Sequence, residues 1–222
     1  CAPFDGPAIS VNMSTFKAPV ALTDTACYYR SARMLSKMSR VLGLDDPYLA
    51  RSEEIRAALL RNFVDADTGE VAGACQTSDG CVAFHHLLKP QEEARLMERL
   101  AERIAQNGWH IDYGILGSKY VLNMLGEYGR TDVIYKMLTR EDYPGYLYWV
   151  DHGCTTLAEC WNLGGSHNHY MFSDVSAVFY RYFAGIRPDG DIPAYRSFLL
   201  APALDLAIDT LSCSVESPHG TI

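Results

Sequence analysis

Two neighbouring segments constrain the fold of this chain more than any others. From Pro90 the sequence is amphipathic at helical spacing: Leu96, Leu100 and Ile104 form an apolar stripe against Glu92, Glu93, Arg95, Glu98, Arg99, Glu102 and Arg103. After Gly108 the run DYGILGSKYVLNMLGEYG is apolar nearly all round and ends at Gly129. The first segment needs one wet face, and the second needs cover on every side. Outer amphipathic helices alternating with inner apolar ones are what concentric helical layers produce.

The rest of the chain follows the same pattern. Residues 1–21 carry three Pro and one Gly without a sustained period and are expected to form a loop over an active face. A helix capped by Thr23 or Asp24 is predicted next, with Tyr28, Leu35, Met38 and Leu42 at helical spacing and Gly43 as its stop. Asp45 or Asp46 and then Pro47 open a second helix carrying Leu49, Ile55, Leu59, Leu60 and Phe63, which halts before the DADTG turn at 65–69. A shorter helix is expected from Asp79 to Leu88, another from Asp132 to Leu138, and a last one from Val175 to Ala184. Strands are predicted near the end, at 195–200, 203–208 and 211–215.

A chain of 222 residues, 48% hydrophobic and 21% charged, has room for one large domain or one plus a fragment. Its net charge of -8 and pI near 5.3 leave no basic stripe for phosphates, so nucleic acid is not an expected partner. Apolar runs are too short to cross a bilayer, and no membrane partner is expected. No charged-then-apolar leader opens the chain, which starts at Cys1 without Met and reads as part of something longer. Seven cysteines are spread without a C-x-x-C pair, so neither a zinc site nor a disulfide scaffold is indicated, and most are expected to be buried thiols. Cys75 and Cys81 flank a turn-like TSDG and are a possible bridge in an oxidising compartment.

The chemistry concentrates between Tyr143 and Phe172, where four Tyr, two Trp, one Phe, three His, Asp151 and Glu159 sit among glycines and small hydroxyl residues. Aromatic faces can cover the apolar faces of a sugar ring while a few polar groups fix its hydroxyls and one carboxylate moves a proton. The alternative is a Gly-rich connection whose aromatics join the core. Glu159, bracketed by small and aromatic residues two positions before Trp161, is expected to be partly desolvated, as a water-activating base requires; a helix cap or a surface partner of an Arg is the competing role. His167 and His169 form an H-x-H pair with no third ligand at useful spacing, so no metal is assigned, and sugar contact or a structural role remain for His169. His110 and Asp112 precede the apolar helix and are expected in a cleft. Tyr146, Tyr148, Trp149 and Trp161 are candidates for stacking on a sugar, or for the core. His85 and His86 are expected to be structural.

In order along the chain stand G-x-L-G at 114–117, G-R-T-D-x-x-Y-x-x-L at 129–138, Y-P at 143–144, G-x-T-T-x-x-E at 153–159 and N-H-Y at 168–170. Taken together they resemble the catalytic region of the bacterial α-L-rhamnosidases of glycoside hydrolase family 78, over roughly residues 23–222. The resemblance implies a mainly α fold, part of an (α/α)6 barrel over 1–197 with the start of a C-terminal β-sandwich over 198–222. It implies hydrolysis of terminal α-L-rhamnosides with inversion, without a cofactor. Glu159 falls at the position of the family's general base and His169 at that of a sugar-contacting histidine. The family more often flanks its base as aromatic-Glu-Arg-aromatic, whereas Ala158 and Cys160 stand here. Nothing in residues 1–21 resembles the family's general acid, so that acid, and the remainder of the parent chain that completes the barrel, are expected outside these residues. Another (α/α)6 enzyme, such as an inverting glycosidase or an unsaturated uronyl hydrolase, and a non-catalytic sugar-binding scaffold are the alternatives.

Overall fold

The computed structural model describes residues 17–190 and 192–222. They fall into two compact units, one drawn from Cys1–Gln106 and Asp112–Met124, the other from Asn107–Ile111 and Leu125–Ile222.

The first unit opens with α1 (Val20–Leu42), which starts after Pro19 and so takes in the end of the expected 1–21 loop; residues 1–16 of that loop lie outside the described residues. Gly43 stops α1 in the left-handed region, φ +66, where glycine carries no Cβ penalty. The buried face of α1 is not the predicted one. Leu22, Thr23, Ala26, Tyr29, Ala32, Ser36 and Ser39 point inward, while Tyr28, Leu35, Met38 and Leu42 are exposed. Small residues line the inner face and let neighbouring elements approach closely. Helix α2 (Tyr48–Phe63) follows, capped by Asp46, whose Oδ1 accepts the N–H groups of Tyr48 and Leu49 at 3.2 Å each. Its other oxygen takes the Ser36 hydroxyl at 2.6 Å and ties the cap to α1.

Helix α3 (Gln76–Phe84) begins three residues before the predicted Asp79 start, because TSDG is helical and not a turn. Cys75 and Cys81 are both free thiols. Gln76, Thr77, Ser78 and Asp79 are all buried, and three of them have side-chain partners, two of these distant in sequence. Gln76 Oε1 accepts the Asp112 N–H at 3.1 Å, Ser78 Oγ meets Cys75 Sγ at 3.3 Å, and Arg103 Nε donates to Asp79 Oδ2 at 3.0 Å. That arginine comes from α4 (Pro90–Gln106), whose stripe of Leu96, Leu100 and Ile104 is fully buried as predicted. Arg99, also on α4, donates to the carbonyls of Thr68 and Gly69 and pins the turn at 65–69. Helix α5 (Ile115–Glu127) is buried on nearly every side from Gly117 to Gly126, as an inner helix should be. A Cβ on its Gly117 would stand 2.4 Å from Thr77 Oγ1, which sets how closely α3 and α5 approach.

In the second unit, α6 (Thr131–Leu138) buries Val133, Ile134 and Met137. Within the stretch expected to be a connection, helix α7 (Tyr146–Asp151) carries Trp149 into the core. The last helix is α8 (Asp174–Val178), continued by a π-helical turn over Phe179–Phe183. Strand β1 (Ile186–Pro188) pairs antiparallel with β2 (Phe198–Leu200), Ile186 opposite Leu200. The strands predicted at 203–208 and 211–215 are absent; short β3 (Glu216–Ser217) and β4 (Gly220–Thr221) pair instead. No helix among the described residues is long and apolar enough to cross a membrane.

Candidate active site

The loop from Gly153 to Ser173 is held at two points on one aromatic cluster. Trp161 stacks on Trp149 of α7 with ring centroids 4.5 Å apart at 22°, and Phe172 packs against Trp161 at 4.6 Å. Tyr146 closes the cluster edge-on to Trp161 at 5.1 Å. Trp149 Nε1 donates to the Trp161 carbonyl at 3.0 Å, and the Tyr146 hydroxyl donates to the Phe172 carbonyl at 3.2 Å. Anchoring Trp161 and Phe172 on the same cluster brings the residues just before each of them together. Those residues are Glu159 and His169.

Glu159 closes its own loop. Its N–H donates to the Ser166 carbonyl at 2.8 Å, and the Ser166 N–H donates back to Oε2 at 2.9 Å. Positive φ at Leu163, +64, and Gly165, +77, turns the chain between them. His169 hangs from the Leu157 carbonyl through its N–H at 2.9 Å, and its Nδ1 stands 3.8 Å from Glu159 Oε2. That is too long for a hydrogen bond, yet one oxygen atom of a ligand can sit about 2.8 Å from both groups at once. Among the described residues Oε1 accepts no hydrogen bond, and the Glu159 side chain keeps 41% of its surface open. The arrangement is therefore a carboxylate with one oxygen fixed by a backbone donor and the other free to take a proton. The neighbouring Cys160 thiol is pushed up by burial and then by the Glu159 charge, which leaves it a poor nucleophile.

The other candidates are placed elsewhere. Trp149, 2% exposed, and Trp161, also buried, have no face left for a sugar; they are the cluster that positions the loop, a correction to their expected stacking role. Tyr146 is half-buried in the same cluster, and Tyr148 lies against His152 with centroids 4.0 Å apart. His110 meets Asp142 Oδ2 through Nε2 at 2.9 Å and the Asn107 carbonyl through Nδ1 at 2.8 Å. Arg140, and after it His110, hold the Asp142 carboxyl below the usual carboxylate range. Asp112, in the first unit, forms an ion pair with Lys17 at 2.8 Å. Among the described residues no cluster of His, Cys, Asp and Glu could hold a metal ion. Two features went unread in the sequence. Tyr170, 81% exposed, lies parallel to the His169 ring at 6.3 Å, and the Gly164-Gly165-Ser166 run was the signal for the turn that grips Glu159.

Comparison with known proteins places this chain in a family. The model described as bacterial alpha-L-rhamnosidase 6 hairpin glycosidase domain matches residues 8–183. The chain belongs to this family. The α-L-rhamnosidase of Alteromonas sp. strain LOR is 27% identical over 217 residues, which is 91% of this chain and 23% of that protein. The α-L-rhamnosidase of Streptomyces avermitilis is 29% identical over 99% of this chain and 22% of its own length. A crystal structure of the Streptomyces avermitilis α-L-rhamnosidase complexed with L-rhamnose superposes with a TM-score of 0.81 at 28% identity, covering 99% of this chain and 22% of that one. The rhamnosidase-family fold class is thus a mainly helical part of an (α/α)6 barrel with a few strands after it. The chain spans less than a quarter of the length of these relatives.

Proposed function

We propose that this chain supplies the general base of an α-L-rhamnosidase, an enzyme that removes terminal α-L-rhamnose from rhamnosides with inversion at the anomeric carbon. The observation that carries the reading is the half-open Glu159 carboxylate, one oxygen fixed by Ser166 and the other unpartnered, with His169 Nδ1 at 3.8 Å, in a chain of the rhamnosidase family. Glu159 Oε1 takes a proton from a water as the water oxygen attacks the anomeric carbon. The bond to the aglycone oxygen breaks on the opposite face, and a general acid protonates the leaving oxygen. An inverting pair needs its carboxyl groups about 6.5 to 9.5 Å apart so that the water fits. We assign that acid to the remainder of a longer parent chain, in keeping with the length of the relatives. Residues 1–197 then form part of the barrel and 198–222 the start of a β-sandwich, with His169 and the exposed Tyr170 facing the sugar.

Proton NMR of the first product released by the complete parent protein from an aryl α-L-rhamnoside tests the reading. β-L-Rhamnose is expected to appear first; initial α-L-rhamnose would mean retention and a different use of Glu159. An unsaturated glucuronide run beside it separates the uronyl hydrolase alternative, for which turnover of that substrate alone is diagnostic. The 222 residues by themselves are expected to turn over neither. A purely structural role for Glu159 is favoured by one observation, the double link to Ser166, and Glu159→Gln separates it from catalysis because the amide oxygen still accepts the Ser166 N–H.

A further inference from the structure

We infer that Gly165 is a positioning residue: the absence of a side chain there sets where the Glu159 carboxylate points. The inference rests on the reading of Glu159 as the base. A Cβ built on Gly165 would stand 2.5 Å from Glu159 Oε2, 3.1 Å from its Cδ and 3.4 Å from its Cβ. Carbon and oxygen do not approach to the first of these distances, so something has to move. The crowded atoms are the end of a long side chain, and they yield before the backbone does. The Ser166 N–H cannot follow, because the Ser166 carbonyl is tied to the Glu159 N–H at 2.8 Å. Swinging the carboxylate therefore breaks its 2.9 Å hydrogen bond, carries Oε2 away from its place 3.8 Å from His169 Nδ1, and turns Oε1 with it.

The backbone supplies a second reason for glycine at this position, since its φ of +77 is costly for most residues with a Cβ. The two reasons can be separated. Asn tolerates the left-handed region better than Ala does, yet it carries the same Cβ. A strained turn is eased by Asn; a crowded carboxylate is not. The titratable groups that face Glu159 are the His169 imidazole at 3.8 Å and the Cys160 thiol, and neither is altered by a change at Gly165.

The test is kcat and KM against pH for an aryl α-L-rhamnoside, in the complete parent protein carrying Gly165→Ala or Gly165→Asn. Both variants are expected to lose at least about tenfold in kcat, with KM moved by no more than about twofold. Combined with Glu159→Asp, whose shorter side chain withdraws from the added methyl, Gly165→Ala should cost no more than about threefold further. If Gly165→Ala does not fold, Gly165→Asn decides the matter. A folded Gly165→Asn protein with unchanged kcat overturns the inference, as does an equal loss from Gly165→Ala in the Glu and Asp backgrounds. Either of those results leaves the base assignment intact provided that Glu159→Gln is inactive; an active Glu159→Gln overturns the assignment itself.

Discussion

Asp79 and Glu159 mark two opposite uses of a carboxylate. Asp79, on α3, is 1% exposed; burial pushes it up to about 6 against the pull of Arg103 at 3.0 Å. Arg103 also reaches towards Glu70 at 3.8 Å, so the acid is enclosed by partners supplied by its own unit. Glu159 sits on a loop, holds one backbone N–H and keeps an oxygen free. A search for a carboxylate of raised proton affinity stops at Asp79. Base catalysis, the role proposed for Glu159, needs something else, a lone pair that a substrate atom can reach.

The comparison can be pressed hardest at the cluster that holds the Glu159 loop. In the complete parent protein, Trp161→Ala should cost about 3 to 5 kcal/mol in denaturant unfolding and abolish turnover, since the loop loses an anchor. A loss below about 1 kcal/mol would mean that the aromatic cluster does not position the loop. Asp79→Ala strands the Arg103 charge; with that arginine partly in solvent, about 2 to 3 kcal/mol of stability should go. Turnover per folded molecule should stay unchanged. A tenfold drop would show that the buried acid takes part in the chemistry after all.

The buried groups also set opposite pH dependences. The raised Asp79 contributes stability that is full below pH 3.8 and is lost as pH rises through about 6. His85, whose ring nitrogens lack hydrogen-bond partners among the described residues, is lowered to about 4 by burial and then by Arg30. It contributes stability that is full above pH 6.5 and is lost as pH falls through about 4. The two slopes oppose each other in the native protein. Asp79→Asn should therefore lose stability more steeply than the native protein on acidification from pH 6.5 to 4, and His85→Phe less steeply. Melting temperatures across that range check the sign, and parallel profiles would refute it. The smallest effect is expected for Glu159→Gln, within about 0.5 kcal/mol of the native stability, because the Gln oxygen keeps the Ser166 N–H.

What the sequence made legible depended on which residues carried the packing. In α4 the inward face is built from Leu96, Leu100 and Ile104, so large apolar periodicity pointed the right way. In α1 the inward face is Ala26, Ala32, Ser36 and Ser39, and the large residues that looked like a core stripe face out. Periodicity identified the helix there but not its buried side. Helix α3 was placed late because Thr77, Ser78 and Asp79 have turn-forming side chains, and the partners that make them acceptable inside, such as Arg103, come from elsewhere in the chain. Helix α7 was hidden by its own aromatics, which also suit a sugar cleft. Family motifs pointed to Glu159 and His169 as candidates. The grip of Ser166 and Gly165 on Glu159 was not legible, since it depends on a backbone donor and on the space that a glycine leaves empty.

Whether the free oxygen of Glu159 accepts the proton of the attacking water, as proposed, is decided by kcat of Glu159→Gln in the complete parent protein. A fall of about 10² to 10⁴ with an unchanged melting temperature is the predicted result. Turnover within a few fold of the native rate, in a folded protein, would contradict it.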